Sequence, residues 1–179
     1  TLAELFDKNA VIHSFEPSKK TFERFLETTS GITNIIPNNF GFSDTVNSLL
    51  LYTNNEASEI ASVYQRNLEH FGISMDQSEE IRLSTIDIYC KNNNVNRIHF
   101  LKLDIEGHEL KALKGAEYML ANKKIDFIQF EFGGCNIDSR TYFQDFYYLL
   151  KDNYRIYRQL SDDLIQIPQY KQMHEIFIN

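Results

Sequence analysis

The densest group of chemically active side chains lies between Phe100 and Ala116, in the sequence FLKLDIEGHELKALKGA. Within eight residues this segment places one lysine, one histidine and three carboxylates, namely Lys102, Asp104, Glu106, His108 and Glu109. Carboxylates that meet in a partly dry cleft repel one another, so at least one must be protonated, paired with a lysine or neutralised by a bound cation. The segment therefore predicts a site for a cationic ligand.

A structural role explains the same residues equally well. Lys102 can pair with one carboxylate, and Glu106 or Glu109 can cap the following helix, where negative charge suits the helix dipole. Structural ion networks perturb charged groups as active sites do, so the pattern leaves both alternatives open. Gly107 is expected to permit a tight turn from strand to helix. His108 is a candidate proton acceptor because the ordinary histidine pKa is about 6.5.

Two further carboxylates are predicted at strand ends. Glu16 follows an apolar strand, where dinucleotide-type folds place an acid that accepts hydrogen bonds from ribose hydroxyls, although many such glutamates are only solvated. Glu131 ends the strand containing IQFEF. Because ligands of open parallel sheets bind outside the carboxyl ends of the strands, Glu131 is expected beside Asp104 and Glu106.

The elements that position these residues alternate between strand and helix. Hydrophobic periodicity predicts strands over residues 10–15, 32–36, 48–53, 98–104 and 125–132. It predicts helices over residues 19–28, 56–71, 85–91, 109–121 and 141–150. It also indicates a helix end over residues 1–7, a loop over 74–80, and closing strands over 154–159 and 175–178. The alternation predicts an α/β three-layer sandwich, in one domain spanning residues 1–179.

Composition excludes several classes of protein. The net charge of −7 comes without a clustered basic stripe, so no nucleic-acid partner is expected. The apolar runs are too short to cross a bilayer and no signal segment opens the chain, so we expect a cytoplasmic protein without a membrane partner. Cys90 and Cys135 lack CxxC or Cys/His spacing, which favours reduced thiols. The carboxylates show no strong ligand-spacing signature, and no metal is predicted.

Four blocks of the chain, in order, resemble the FkbM family of S-adenosylmethionine-dependent methyltransferases. They are VIHSFEPSKKTFERFLE, NFGFSD, LSTIDIYCKNNNVNRIHFLKLDIEGHELKALKGAEYML and IQFEF. The resemblance covers nearly the whole chain, and LKLDIEGHELKALKGA is its most specific part. It implies a Rossmann-like fold of the class I methyltransferase type and methyl transfer to a hydroxyl oxygen of a small-molecule acceptor, usually a sugar or another natural product. The sequence also allows the protein to form a homo-oligomer.

The resemblance also implies which residues contact the cofactor, S-adenosylmethionine. Glu16 in FEP would hold the ribose, while Asn39 and Phe40 would border the adenine. Asp104 would face the methyl donor, whose sulfonium is cationic and is therefore favoured by a carboxylate-lined crevice.

The acceptor side is implied in the same way. Asp104 and Glu106 in LDIEGHE would face the donor and the acceptor, and Glu131 would line the acceptor side with Lys102 nearby. Transfer to an alcohol needs its oxygen held in line and its proton removed. Asp104 is the first candidate for the proton acceptor and His108 the second.

The chain departs from this family at its beginning, because none of its seven glycines precedes Gly31. The family opens with a strand and a glycine-containing turn, so we expect both to precede Thr1 in a longer polypeptide, with strand donation by another chain as the alternative. Two other functions compete with methyl transfer. A non-catalytic cofactor-binding or scaffold domain fits the missing turn, whereas a nicotinamide-dependent oxidoreductase gives no reason for the acidic cluster.

Overall fold

The computed structural model of the chain describes residues 9–55 and 60–176. These residues form a mixed α/β structure with nine strands and six α-helices. The strands are β1 (Ile12–Phe15), β2 (Ile35–Asn38), β3 (Gly41–Phe42), β4 (Asn47–Thr53), β5 (Gln77–Ser84), β6 (Ile98–Leu103), β7 (Ile125–Phe130), β8 (Tyr157–Gln159) and β9 (Leu164–Gln166). The helices are α1 (Lys19–Thr28), α2 (Ile86–Asn92), α3 (Glu109–Lys114), α4 (Glu117–Ala121), α5 (Cys135–Ser139) and α6 (Phe143–Leu150).

The described strands form four small sheets. Strands β1 and β2 pair in parallel, and so do β6 and β7. Strand β5 lies between β3 and β4 and is antiparallel to β4, while β8 and β9 form an antiparallel pair. The mixed α/β class predicted from the sequence is confirmed. The described strands pair as four small sheets, so the predicted three-layer sandwich around one sheet stays a prediction.

One hydrophobic core joins the two parallel pairs. Leu103 at the end of β6 is buried with side chains of α3, α4 and α6, of which Phe146 is completely buried. Phe15 at the end of β1 and Phe40 after β2 pack against the same core. The carboxyl ends of β1 and β6, which the predicted site residues follow, are therefore anchored to one packed interior.

The predicted helix over residues 56–71 is wrong where the structure describes it, because only the short 3₁₀ helix Glu69–Phe71 forms there. Residue Ser62 instead exchanges two backbone hydrogen bonds with Tyr52 of β4, at 2.8 and 3.1 Å. A backbone group that bonds to a strand cannot also bond along a helix. The helical spacing of apolar residues was therefore overridden by tertiary pairing.

Three other predictions need correction. Residues 77–80, predicted as loop, belong to β5, because backbone pairing with β4 does not require apolar side chains. Strand β2 begins at Ile35 instead of Ile32. The amide of Ile32 donates to the Thr29 carbonyl in a turn. The closing strand predicted from Glu175 onwards is not found at that residue, which lies in the 3₁₀ helix Gln172–Glu175. Strand β8 pairs with β9 instead.

The predicted helix over residues 109–121 is divided into α3 and α4 at Gly115. A Cβ atom at this position would lie 2.0 Å from the backbone oxygen of Ser43, so the two backbones approach too closely for any side chain. The Gly115 carbonyl accepts a hydrogen bond from the amide of Asp87 at 3.0 Å. Glycine is therefore needed where α3 ends against two other segments.

The predicted helix end over residues 1–7 lies outside the described residues. None of the described helices is long and apolar enough to span a bilayer.

Replacing Gly115 with alanine should destabilise the fold. We expect Gly115→Ala to lower the free energy of unfolding by about 1–3 kcal/mol, because the added methyl group overpacks a backbone contact. Urea unfolding followed by circular dichroism measures the loss. Gly134→Ala is the matched control, since a Cβ there meets nothing within 4 Å and the backbone is already helical. Equal stabilities of the two variants would contradict the expectation.

Candidate active site

Three carboxylates meet at the carboxyl ends of β6 and β7. The register pairs Leu103 with Phe130, the last residues of the two strands, so Asp104 and Glu131 leave them side by side. Glu106 lies in the turn after β6, and one oxygen from each of these three carboxylates lies within 4.8 Å of the others. The structure thus brings together three of the residues singled out in the sequence.

Basic side chains compensate part of this charge. The Lys102 ammonium lies 2.5 Å from Oδ2 of Asp104. The guanidinium of Arg66 contacts Oε2 of Glu106 through Nη1 at 2.6 Å and Oδ2 of Asp138 through Nε at 3.2 Å. A hard cation could bridge oxygens at the spacing of this cluster. Because two of the three carboxylates in this cluster are already paired with a basic side chain, we assign no metal to the cluster.

The pKa values of Asp104 and Glu131 are shifted in opposite directions. The hydrogen bond from Lys102 lowers the pKa of Asp104. Burial raises the pKa of Glu131, and the negative charges of Asp104 and Glu106 raise it further. Two neighbouring carboxyl groups whose pKa values are shifted in opposite directions suit proton transfer.

The turn after β6 is strained and is supported from inside. Glu106 has a φ of 51° and Gly107 a φ of 100°, so two successive residues are left-handed. Oε1 of the buried Glu109 accepts hydrogen bonds from the amides of Ile105 at 2.9 Å and Gly107 at 3.3 Å. Burial raises the pKa of Glu109 to about 7. The turn at Gly107 is confirmed, and Glu109 holds it from the start of α3.

His108 is buried and both of its ring nitrogens are engaged. Nδ1 lies 3.1 Å from the hydroxyl of Tyr64, and Nε2 lies 3.0 Å from the hydroxyl of Ser43. Burial lowers the pKa of His108 to about 4, so the ring is neutral at neutral pH. A proton could reach His108 from an acceptor only after one of these contacts breaks. Its geometry favours support of the turn over direct contact with an acceptor.

Glu16 and Asn39 lie together beyond the other parallel pair. Oε1 of the half-buried Glu16 accepts the amide of Ser18 at 2.8 Å, and burial raises the Glu16 pKa. The Asn39 amide donates to the carbonyls of Glu16 at 2.9 Å and Pro17 at 3.2 Å. Asn39 therefore ties the segment after β2 to the segment after β1. The second oxygen of Glu16 keeps its capacity for a ligand hydroxyl.

Phe40 lies between an aromatic cluster and an open cleft. Its ring centroid is 5.4 Å from that of Phe15 and 5.7 Å from that of Phe42. The cleft has a volume of about 480 Å³ and is lined by Phe40, Val46, Asn47, Ser48, Arg82, Leu83 and Ser84. An aromatic ring at the wall of a cavity of this size suits a planar ligand group.

The sequence reasoning missed the side chains that cover the turn from the other side. Ser62, Tyr64 and Arg66 lie in an irregular segment and contact Glu106, His108 and Asp138. The available signal was the set of polar residues Ser62, Tyr64 and Arg66 in SVYQR. It was hidden by apolar residues at helical spacing around it.

The chain belongs to the FkbM methyltransferase domain family, whose model matches residues 2–157. It is also similar to the hexuronic acid methyltransferase AglP of Haloferax volcanii, with 28% identity over 134 residues. The matched region covers 74% of this chain and 52% of AglP, so the chain spans about half the length of that curated relative. No solved structure shows a significant match to the chain.

The buried state of His108 predicts a specific pH dependence of stability. Its folded pKa of about 4 lies below the ordinary value of 6.5, so stability is complete above pH 6.5 and is lost as the pH falls towards 4. Between pH 7 and pH 5, the wild type should lose about 2 kcal/mol more unfolding free energy than His108→Gln.

Urea unfolding at the two pH values measures this difference. Glu109 acts in the opposite direction, because its raised pKa stabilises the fold at low pH, but it is present in both proteins and its effect cancels. The exposed His99, replaced by glutamine, is the control. An equal pH dependence in wild type and His108→Gln would show that His108 does not titrate as a buried group.

Proposed function

We propose that the chain is an S-adenosylmethionine-dependent methyltransferase that methylates a hydroxyl oxygen of a sugar, on a Rossmann-like sandwich of the class I type. Membership of the FkbM methyltransferase family supports methyl transfer as the reaction. The observation that carries the proposal is the Asp104–Glu131 pair, which places a carboxyl group with a lowered pKa beside one with a raised pKa where two parallel strands end. Ligand crevices of parallel sheets lie at such ends.

The residues beyond β1 and β2 form the adenosine side of the proposed site. The carboxylate of Glu16 would accept the ribose hydroxyls, and Asn39 holds the Glu16 backbone in place. Phe40 would contact the adenine from the wall of its cleft. When bound, S-adenosylmethionine supplies a methyl group on a sulfonium, whose positive charge the carboxylate of Asp104 favours.

The residues beyond β6 and β7 form the acceptor side. The Asp104–Glu131 pair would take the one proton of the acceptor hydroxyl. The acceptor oxygen would bond to the methyl carbon as the sulfur–carbon bond breaks. Glu131 is the stronger base of the two because its pKa is raised. Glu106 and Lys102 would orient the acceptor through hydrogen bonds. His108 would act through the turn, since both of its nitrogens are already bonded.

The acceptor class follows from the relative. AglP is named for hexuronic acid, so uronic acids are the first acceptors to assay, with neutral sugars beside them. A hydroxyl acceptor loses a proton, whereas methylation of a carboxylate needs no base. Loss of transfer as the pH falls through the titration of the Asp104–Glu131 pair therefore favours a hydroxyl.

Replacing Glu16 should weaken cofactor binding. We expect Glu16→Gln to reduce the affinity for S-adenosylmethionine by roughly 10- to 100-fold, because a charged acceptor of ribose hydrogen bonds becomes neutral. Isothermal titration calorimetry measures the affinity. Glu79→Gln is the matched control, since Glu79 also accepts a backbone amide, that of Lys19, and adds negative charge beside Glu16. Unchanged affinity in Glu16→Gln would refute the ribose assignment.

Replacing Asp104 should impair transfer. We expect Asp104→Asn to lower the turnover rate by about 10²- to 10⁴-fold, the usual contribution of a positioned base. Mass-spectrometric detection of the methylated sugar measures turnover. The control is Asp126→Asn, which removes a carboxylate paired with Arg97 at the opposite end of the same strands. Cofactor binding without turnover in the wild type, on every sugar tried, would instead indicate a non-catalytic domain.

A further inference from the structure

Arg66 joins three parts of the molecule at the acceptor side. It comes from the irregular segment of residues 62–66, which begins at the bridge to β4 and which we call the clamp segment. Its Nη1 contacts Glu106 in the turn after β6, and its Nε contacts Asp138 in α5, after β7. Its side chain is only 12% exposed, so these contacts are made largely out of water. One guanidinium therefore links the loops that follow both strands of the site.

The clamp segment holds the backbone of Glu106 as well as its carboxylate. The hydroxyl of Ser62 donates to the Glu106 carbonyl at 2.8 Å. Tyr64 contacts the ring of His108, two residues further along. Ser62, Tyr64 and Arg66 therefore all reach the turn after β6 from one short segment.

Glu106 needs such support because it is left-handed, with a φ of 51°. A non-glycine residue in this conformation persists only where its surroundings determine it. Glu109 holds the amides on either side of Glu106, and the clamp segment holds its carbonyl and its carboxylate. Without the clamp segment, only the inner half of this support would remain.

We propose that Arg66 is the positioning residue of the acceptor side, which fixes the carboxylate of Glu106 by bridging it to Asp138. The effect of Arg66 on turnover rests on the proposed methyl transfer, whereas its contacts with Glu106 and Asp138 do not. Lysine cannot replace the residue fully, because a single ammonium lacks the fork that reaches two carboxylates from Nε and Nη1.

The first test needs no activity. Hydrogen exchange measured by mass spectrometry on the intact protein should show roughly tenfold faster exchange of the peptide containing residues 104–109 in Arg66→Gln, with Arg66→Lys between this variant and the wild type. Arg97→Gln is the matched control, because it breaks an arginine–carboxylate pair at the opposite end of β6 and β7. Unchanged exchange in Arg66→Gln would overturn the inference.

A second measurement separates positioning from general stabilisation. The titration of the Glu106 carboxyl carbon, followed by NMR, should move to higher pH in Arg66→Gln and return part of the way in Arg66→Lys, because the positive charge opposes the rise that burial causes. Arg97→Gln, which removes a positive charge at the opposite end of β6 and β7, should leave this titration where it is. An unmoved titration in Arg66→Gln would also overturn the inference.

Turnover then relates the inference to the proposed function. If Arg66 acts through Glu106, Arg66→Gln should slow methyl transfer in the wild type but slow it no further in a Glu106→Gln background. The double variant removes both members of the Arg66–Glu106 pair, so Glu106 is not left without its partner, and Asp138 loses Arg66 equally in the single and the double variant. Additive losses would contradict positioning. Absence of transfer in the wild type would refute the proposed function, while the exchange and NMR results would still decide the role of Arg66.

Discussion

The site depends on one electrostatic constraint, which is that carboxylates crowded at the ends of β6 and β7 must each be compensated. Asp104, Glu106 and Glu131 have oxygens within 4.8 Å of one another. Lys102 compensates the first and Arg66 the second. Glu131 responds by a rise in its pKa. Uncompensated charges in a partly dry site would cost more free energy than a domain can spare.

The segments around these carboxylates support the turn after β6 from two sides. The buried side chain of Glu109 accepts hydrogen bonds from the backbone of the strained turn. The clamp segment, which is not helical, contacts the turn from the other side. His108 is locked between Tyr64 and Ser43 with its charge suppressed. The groups that look catalytic in the sequence are thus divided between the carboxylates at the ends of β6 and β7 and the residues that hold the turn between them.

Local patterns predicted the parts of the fold that local forces govern. The helix over residues 19–28, the turn at Gly107 and the strands that carry Asp104 and Glu131 were all predicted from spacing and propensity. Predictions failed where pairing between distant segments decided the outcome. Ser62 bonds to Tyr52 instead of continuing a helix, and Gly115 ends α3 because the backbone of Ser43 lies against it.

For the site, the sequence by itself determined which acids could act and that strands would deliver them to one edge. It left open whether a structural network or a ligand compensates their charge. The tertiary structure decided that Lys102 and Arg66 do so, that Glu109 supports the turn and that His108 is buried. The physical reason is that charge compensation depends on distances through space, and Arg66 is 40 residues away from Glu106 along the chain.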